Sequence, residues 1–529
     1  MKNSERNDGR TISIMLLGGF GLRLLFAWSG LAERGLVADD AYYYFTIARN
    51  IAHGLGPTFD TLAPTNGFHP LWLLMLVPIF ALVGQILWIP VRLALSISSI
   101  FDIASGWLIF SLLRDKGMPR AGLTAALIWL LSPFTLLLGL RGLEISLSVL
   151  IILLLVKYLS ASETSLINLR HALLAGFLVG LSGWARTDNL PVVGLTLAIV
   201  LLWCGGGTII RRIIWALTAG ITALITILPW LAWNYAHFGQ IIQISGFGEL
   251  QHAWSFTAIA GEMKSLSGII GALAHTILVP ITYPANFLAG EEFKSTAVSV
   301  FIVLAVCILI VWLILRLKKL RDTASLTSAG TVISFAAIYM ILHVMMYGIV
   351  LRFYAAWYAL PFYAMLCILI GIGVSPSATS AHKQTAPGKA AIAASFVLSV
   401  AIYAIFLVRV PLTIDKPERH YGPIFESLSR QFPSGATVGA FNAGAAGYFA
   451  PNHGKNKVVN LNLLVNNKGY DEFNKGRFLD YIAETIDVFI EDPRLAERYL
   501  SPEETEILCA LYARGDSSPF WKKFRLEAN

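Results

Sequence analysis

The chain has 529 residues, 56% of them hydrophobic and only 14% charged, with a formal net charge of +8 and a mean hydropathy of +0.66. Soluble domains hold about 45–50% apolar and about 25% charged residues, so the composition excludes a soluble enzyme and indicates a polytopic helical membrane protein. The positive charge is not that of a nucleic-acid binder, because most Lys and Arg stand in short clusters between apolar runs, where they encode topology.

Lys2, Arg6 and Arg10 place the N-terminal segment in the cytoplasm. The apolar run 11–30 is longer than a signal-peptide core and lacks a convincing cleavage site, so it is expected to stay as the first span. It delivers the loop 31–70, with Asp39 and Asp40, to the outer face. The basic stretches 114–120, 211–212, 316–321 and 382–389 are all expected in the cytoplasm. That parity requires one of the runs 71–90 and 93–113 not to span. The run 71–90, with Pro70, Pro78 and Pro90 in or beside it, is expected to be interfacial or re-entrant, as is 266–290 with Pro280 and Pro284. The remaining runs (11–30, 93–113, 121–139, 142–159, 172–185, 190–206, 213–233, 296–315, 329–350, 354–373 and 390–410) give about eleven spans. An odd number puts the C-terminus outside. Beyond 411 the chain turns polar, and short β-like runs (ATVGAF, KVVNL, VFI) alternate with helix-like ones. The expected architecture is an all-α polytopic membrane domain, 1–410, followed by a small α/β extracytoplasmic domain, 411–529. Cys204, Cys307, Cys367 and Cys509 form no CxxC and imply neither a disulfide framework nor a thiolate metal site.

With this topology the unusual polar residues gather on the outer face. LVADDAYYYF carries Asp39, Asp40 and Tyr43, and TNGFHPLW carries His69. LRGLEIS carries Arg141 and Glu144, GWARTDNLP carries Arg186, Asp188 and Asn189, WNYAHFG carries Asn234, and LRFYAAWY carries Arg352. Charges at membrane depth are costly and face a cavity or a partner. Each residue also has a purely structural reading. Arg141 and Glu144 fit an i,i+3 pair, Arg352 fits a headgroup anchor, and Asp39 or Asp40 fits the N-cap of the amphipathic helix that follows. His69 fits the turn before Pro70, and Asp102, inside a span, fits pairing with a neighbouring polar group. Five such clusters on one leaflet favour an outward-facing polar cavity.

A carboxylate pair with several arginines suits an acid/base group beside an anion site, since the guanidinium fork donates to phosphate in pairs. On a membrane face that chemistry points to a lipid phosphate. A carboxylate accepts the proton of an attacking hydroxyl late in the transition state. Consecutive residues do not share a helix face, so Asp39 and Asp40 are expected to differ in role, one serving the hydroxyl and the other orienting it or holding metal. No cofactor is demanded by the sequence. His53 and His69 lack any metal-ligand spacing, and Asp39 and Asp40 are the residues that would hold a divalent cation such as Mg or Mn.

The stretches DDAYYYFTIARNIAHGLGPTFD and TNGFHPLW, followed in order by GLEISLSVLIILLL, GWARTDNLPVV, PWLAWNYAHFG and RFYAAWYALP, resemble the GT-C superfamily of membrane glycosyltransferases. The tail stretches VGAFNAGAAGYF and KVVNLNLLVNN resemble a bacterial subgroup that includes the arabinofuranosyltransferase AftB. The resemblance implies a GT-C fold, a polyprenyl-phosphate sugar as donor, inverting transfer, and a first-loop aspartate as general base. Asp39 or Asp40 matches that position, Asp39 being slightly favoured. Arg352, then Arg186 and Arg141, would bind the donor phosphate, with Tyr43, His69, Glu144, Asp188, Asn189 and Asn234 around the cavity. The implied acceptor is a hydroxyl of a cell-envelope glycan or glycolipid, reached from outside the inner membrane. Asn462 and Leu463 stand where the subgroup commonly has Asp-Gly, and Thr187 where it often has proline. The rival expectation is a lipid-linked glycan transporter or flippase, although an inverted repeat is not evident in the sequence. A further rival is an assembly subunit whose tail binds envelope polymer.

Overall fold

The computed structural model describes residues 2–30, 32–84, 86–161, 169–204, 207–247, 277, 279–280, 283, 329–351, 355–374, 416–450, 455–514 and 518–523. In chain order these form helices α1 (Lys2–Trp28), α2 (Asp39–Ala52), α3 (Pro70–Val83), α4 (Ile89–Arg114), α5 (Pro119–Leu131), α6 (Pro133–Gly139), α7 (Ile145–Ala161), α8 (Leu169–Ala185), α9 (Asn189–Cys204), α10 (Ile209–Phe238), α11 (Gly330–Met345) and α12 (Ala359–Val374). The tail adds α13 (Pro417–Gln431), β1 (Thr437–Ala440), α14 (Ala443–Phe449), β2 (Lys457–Asn460), α15 (Asn467–Asn474), α16 (Phe478–Thr485), β3 (Val488–Phe489), α17 (Pro502–Leu511), β4 (Tyr512–Ala513) and β5 (Trp521–Lys523). The chain divides into two compact units. A helical unit comprises 1–29, 95–229 and 266–412, and a loop–tail unit comprises 30–94, 230–265 and 413–529.

Five helical segments among the described residues are long and apolar enough to cross a membrane: Asp8–Trp28, Ile89–Arg114, Ile209–Phe238, Gly330–Gly348 and Ala356–Val374. The pair α5 and α6, bent by 55°, makes a sixth if counted as one span. The bend follows from Pro133, which starts α6 and drives Ser132 into extended backbone (φ −62°, ψ 127°). The architecture is thus that of a multi-pass helical membrane protein, and among the described residues five or six segments, fewer than the expected spans that fall there, are long and apolar enough to cross. Three expected spans are the shorter helices α7, α8 and α9, of 17, 17 and 16 residues. The runs 296–315 and 390–410 and most of 266–290 lie outside the described residues. The helix at the proline-flanked run 71–90 is α3, of 14 residues, short of the roughly 20 a bilayer requires.

In the helical unit, α8 meets α10 through small residues. A Cβ on Gly176 would lie 2.3 Å from the Ala219 carbonyl oxygen, and one on Gly180 would lie 2.5 Å from Thr226 Cβ. The small-xxx-small spacing therefore brings the two backbones into contact. Asp102 of α4 pairs with Arg23 of α1. Arg23 Nε donates to Asp102 Oδ2 at 3.3 Å and Nη1 donates to the carbonyls of Gly19 (3.2 Å) and Leu130 (3.0 Å), with both side chains fully buried.

In the loop–tail unit the strands form one sheet of order β2-β1-β3-β5-β4. β1 runs parallel to β2 and β3, while β5 is antiparallel to β3 and β4. The three β-like runs of the sequence are β1, β2 and β3. Their apolar residues, Val438, Ala440, Val459 and Phe489 among them, are buried, as expected for strands covered by helices. The α2 helix packs on α14 through aromatic rings: Tyr42 lies 5.4 Å from both Tyr448 and Phe449 between ring centroids, and Phe45 lies 6.1 Å from Tyr448.

Candidate functional site

Helix α2 starts at the acid pair itself. Ala38 is its N-cap, in extended backbone, and makes no side-chain cap bond. The expectation that one acid caps its own helix is corrected, because Asp39 instead serves backbone donors 405 residues away in sequence. Asp39 Oδ2 accepts from Gly444 N–H at 3.0 Å and Oδ1 accepts from Ala445 N–H at 2.8 Å. At the other end of α2, the Arg49 guanidinium donates to the carbonyls of Tyr448 (3.1 Å) and Gly447 (3.4 Å) and lies 4.9 Å over the Tyr448 ring. Thus α2 grips α14 with an acid on its leading N–H groups and a cation on its trailing carbonyls, the favourable sense at each end.

Burial pushes the Asp39 carboxyl above its ordinary pKa, and the nearby Glu491 charge adds to this against the hydrogen bonds from the two N–H groups and Tyr43. The buried Tyr43 hydroxyl accepts from Asn460 Nδ2 at 2.9 Å and Asn462 Nδ2 at 3.4 Å, just past the end of β2. Asp40 stands beside Asp39, partly exposed. Its charge and that of Asp39 both act on Tyr43.

His69 and Asn234 belong to the same unit, in a second polar network. Asn66 Nδ2 donates to Asn234 Oδ1 at 3.0 Å, and Asn66 Oδ1 accepts from Asn467 Nδ2 at 2.8 Å and from Ile244 N–H at 3.2 Å. His69 Nδ1 lies 3.3 Å from Gln243 Nε2. A third group ties the start of the tail to the first loop: the buried Glu33 carboxylate bonds both Arg92 and Lys416.

The helical unit holds the remaining candidates. Arg186, at the turn between α8 and α9, donates from Nε and Nη2 to the two oxygens of Asp188 at 3.1 and 2.7 Å, and Nη1 bonds Glu144. Its guanidinium stacks 4.5 Å over the Tyr358 ring, and the Tyr347 hydroxyl donates to Asp188 Oδ2 at 2.6 Å. Asn189 Nδ2 donates to Ser148 Oγ at 2.8 Å and to the Ser182 carbonyl at 3.1 Å. Arg141 lies in the turn before α7, partly buried, and Arg352 lies outside the described residues. The two acids belong to the loop–tail unit, and Arg141 and Arg186 to the helical unit.

Sequence reasoning did not single out Gly444 or Ala445, which stand in the quoted stretch VGAFNAGAAGYF and bind Asp39 through backbone N–H groups. It also missed Tyr347 and Tyr358. A signal for Tyr347 did exist: Phe335, Tyr339, His343 and Tyr347 recur every fourth residue and form a ladder of neighbouring rings, which Tyr358 extends at 4.8 Å. Both Asp39 oxygens accept backbone N–H groups, and no three His, Cys, Asp or Glu residues converge among the described residues.

No family model and no curated protein matches the sequence. The architecture does match solved structures. The Archaeoglobus fulgidus oligosaccharyltransferase in its apo form superposes with a TM-score of 0.55 at 13% identity, over 98% of this chain and 75% of that one. The fold is of the GT-C type. The same archaeal enzyme in complex with Zn and sulfate gives a TM-score of 0.55 at 12% identity, over 96% of this chain and 73% of that one. AglB from that organism, in complex with an inhibitory peptide and a dolichol-phosphate, gives 0.53 at 11% identity, over 97% and 75%. What this shows is a likeness of fold to an archaeal oligosaccharyltransferase.

Proposed function

We propose that the protein is a membrane glycosyltransferase that moves a sugar from a polyprenyl-phosphate donor to a hydroxyl of a cell-envelope glycan or glycolipid. The observation that carries this reading is an acid pair at the head of α2, in a chain with the fold of an oligosaccharyltransferase, whose two members are in different surroundings. Asp39, with both oxygens bonded to backbone N–H groups, suits a positioning role, and Asp40 is assigned the proton-accepting one. Asp40 takes the acceptor hydroxyl proton as the oxygen bonds to the anomeric carbon. The bond from that carbon to the phosphate oxygen breaks, and polyprenyl phosphate leaves with its electron pair, inverting the centre.

Arg352, then Arg186 and Arg141, are the candidates for the departing phosphate that the sequence resemblance implies, and Arg186 is bound by Asp188 and Glu144. Tyr43 belongs with the acids, and His69 and Asn234 form an acceptor-side polar surface. In the helical unit, Glu144 and Asp188 bind Arg186, and Asn189 binds Ser148 and the Ser182 carbonyl. The likeness to an enzyme solved with a dolichol-phosphate supports a lipid-phosphate donor. The charge distribution along the sequence supports transfer on the outer face of a bacterial inner membrane, with the N-terminus cytoplasmic and the tail outside. No step is routed through a metal.

The test is transfer by the purified protein from a panel of polyprenyl-phosphate pentoses and hexoses. Turnover of one donor that falls about 10³-fold in Asp40→Asn, with folding intact, supports the reading. Movement of the intact lipid-linked sugar across a vesicle membrane, with no bond broken, would instead identify a flippase.

A further inference from the structure

Asp39 is an ionisable residue that the proposed chemistry leaves without a step, and α14 approaches it more closely than packing alone demands. A Cβ built on Gly444 would lie 2.0 Å from the Asp39 carbonyl oxygen and 2.9 Å from its Oδ2. Any residue but glycine there would push the head of α2 away from the tail. The Asp39 oxygens then divide between Gly444 and Ala445. Tyr43, one turn along α2, hydrogen-bonds Asp39 and receives Asn460 and Asn462 from the end of β2. Arg49 fixes the far end of the same helix on the carbonyls of Gly447 and Tyr448. The tail therefore touches α2 at three levels, and the first of these is the residue adjoining Asp40. A helix bound at both ends has little freedom to rotate about its axis, and rotation is the motion that would swing Asp40 away from a substrate.

We infer that the C-terminal domain is a working part of the catalytic centre, in which Gly444 and Ala445 hold Asp39 as a positioning residue so that Asp40 points at the acceptor hydroxyl. This rests on the glycosyltransferase reading above. It assigns the tail a role that a mere binding module would not have, because the reaction rate then depends on a glycine in the tail that touches no substrate.

The experiment compares the full-length wild type with Gly444→Ala, Asp39→Asn and Asp40→Asn in detergent or nanodiscs, by pH profiles of kcat and KM and by amide hydrogen exchange of the tail. Gly444→Ala is expected to lower kcat by about 10²-fold, the scale of a misplaced catalytic group, with donor KM little changed. Asp39→Asn is expected to lose about tenfold and to move the acidic limb of the profile to lower pH, because a neighbouring negative charge is gone. Asp40→Asn loses the limb altogether. In Asp39→Asn, exchange at the 444 and 445 amides rises while the β1 and β3 amides stay protected, a readout that needs no turnover.

Gly444→Ala with wild-type kcat and pH profile overturns the inference. So does Asp39→Asn with a loss equal to that of Asp40→Asn and no shift of the limb, since Asp39 would then be the base. A wild type without transfer activity defeats the glycosyltransferase reading, and the exchange pattern then decides separately whether Asp39 holds the tail.

Discussion

The acids of the loop–tail unit and the arginine of the helical unit are stabilised in opposite ways. Asp39 is met by neutral backbone N–H groups from the tail. Arg186 is met by full charges, with Glu144 and Asp188 on its fork and Tyr358 beneath its plane. A carboxylate held by amide dipoles keeps its charge and its effect on neighbouring groups. An arginine between two carboxylates is more than neutralised and is a poor grip for an incoming phosphate. Candidate status in sequence was the same for both residues, and the difference in partners separates their roles.

The most severe way to break this comparison is at the residue next to Asp39. Asp40→Asn is expected to reduce transfer about 10³-fold, or roughly 4 kcal/mol of barrier, while the unfolding midpoint moves little. Steady-state rates and a thermal melt on the same preparation check both halves. An Asp40→Asn enzyme with near-normal turnover would return the base role to Asp39 and remove the contrast.

The ion cluster is expected to matter more for stability than for rate. Arg186→Met leaves Glu144 and Asp188 buried without their cation and should cost about 3–5 kcal/mol, seen as a lower melting temperature of the solubilised protein. The same variant carrying Glu144→Gln should recover part of that loss, since one stranded charge has gone. The Arg23–Asp102 pair offers a control in the same unit. Arg23→Met alone should be costly, and Arg23→Met with Asp102→Leu far less so, because a buried pair replaced whole by apolar groups costs little.

A third test uses pH within the loop–tail unit, where Glu33 and Asp39 have shifts of opposite sign. Burial alone would raise the Glu33 pKa, but the hydrogen bonds and charges of Lys416 and Arg92 outweigh it and hold the carboxyl below its ordinary value of 4.5. The folded-state pKa is depressed, so the stability Glu33 contributes is present above pH 4.5 and is lost as pH falls through the folded value. Asp39 is raised above 3.8, so it favours the fold as pH drops through its raised value. Glu33→Gln should therefore melt earlier than wild type at pH 7 and lose less on acidification below pH 4.5. Melts across that range check it, and parallel curves for the two proteins would show that the ion pairs carry no net stability.

Much of this arrangement was legible in the chain. The acid pair, the arginines and the tail strands announce themselves by charge in an apolar context and by period-two runs. The partners were not legible. Asp39 binds backbone N–H groups, which any residue but proline possesses, and Tyr347 reaches Asp188 across 159 positions. The break inside the run 121–139 was not legible either, since the chain bends by 55° between α5 and α6 at Pro133. One departure in sequence has a visible structural counterpart. Leu463 stands where the resembling subgroup commonly has glycine, and it adopts the left-handed φ of +66° that glycine favours. Its side chain is fully buried in the tail core with Phe441, Leu461 and Ile482. Burial of a leucine side chain, worth about 1.5–3 kcal/mol, is enough to offset a left-handed backbone costing about 1–2 kcal/mol.

Thr61 has the same backbone strain without that compensation, and so gives the smallest effect. Its φ is +62°, and its side chain is exposed in the loop between α2 and α3. The turn itself is held by neighbours. Asp60 Oδ1 accepts from Leu62 N–H at 2.8 Å, and Thr58 Oγ1 accepts from the Thr61 backbone N–H at 3.0 Å. None of these bonds uses the Thr61 side chain, so a substitution there leaves the turn intact. A β-branched residue is a poor occupant of the left-handed region, and asparagine a tolerated one. Thr61→Asn should therefore stabilise the protein by up to about 1 kcal/mol without altering transfer. A small rise in melting temperature at unchanged kcat is the expected result. A fall would show that the exposed hydroxyl, and not the turn around it, holds this conformation.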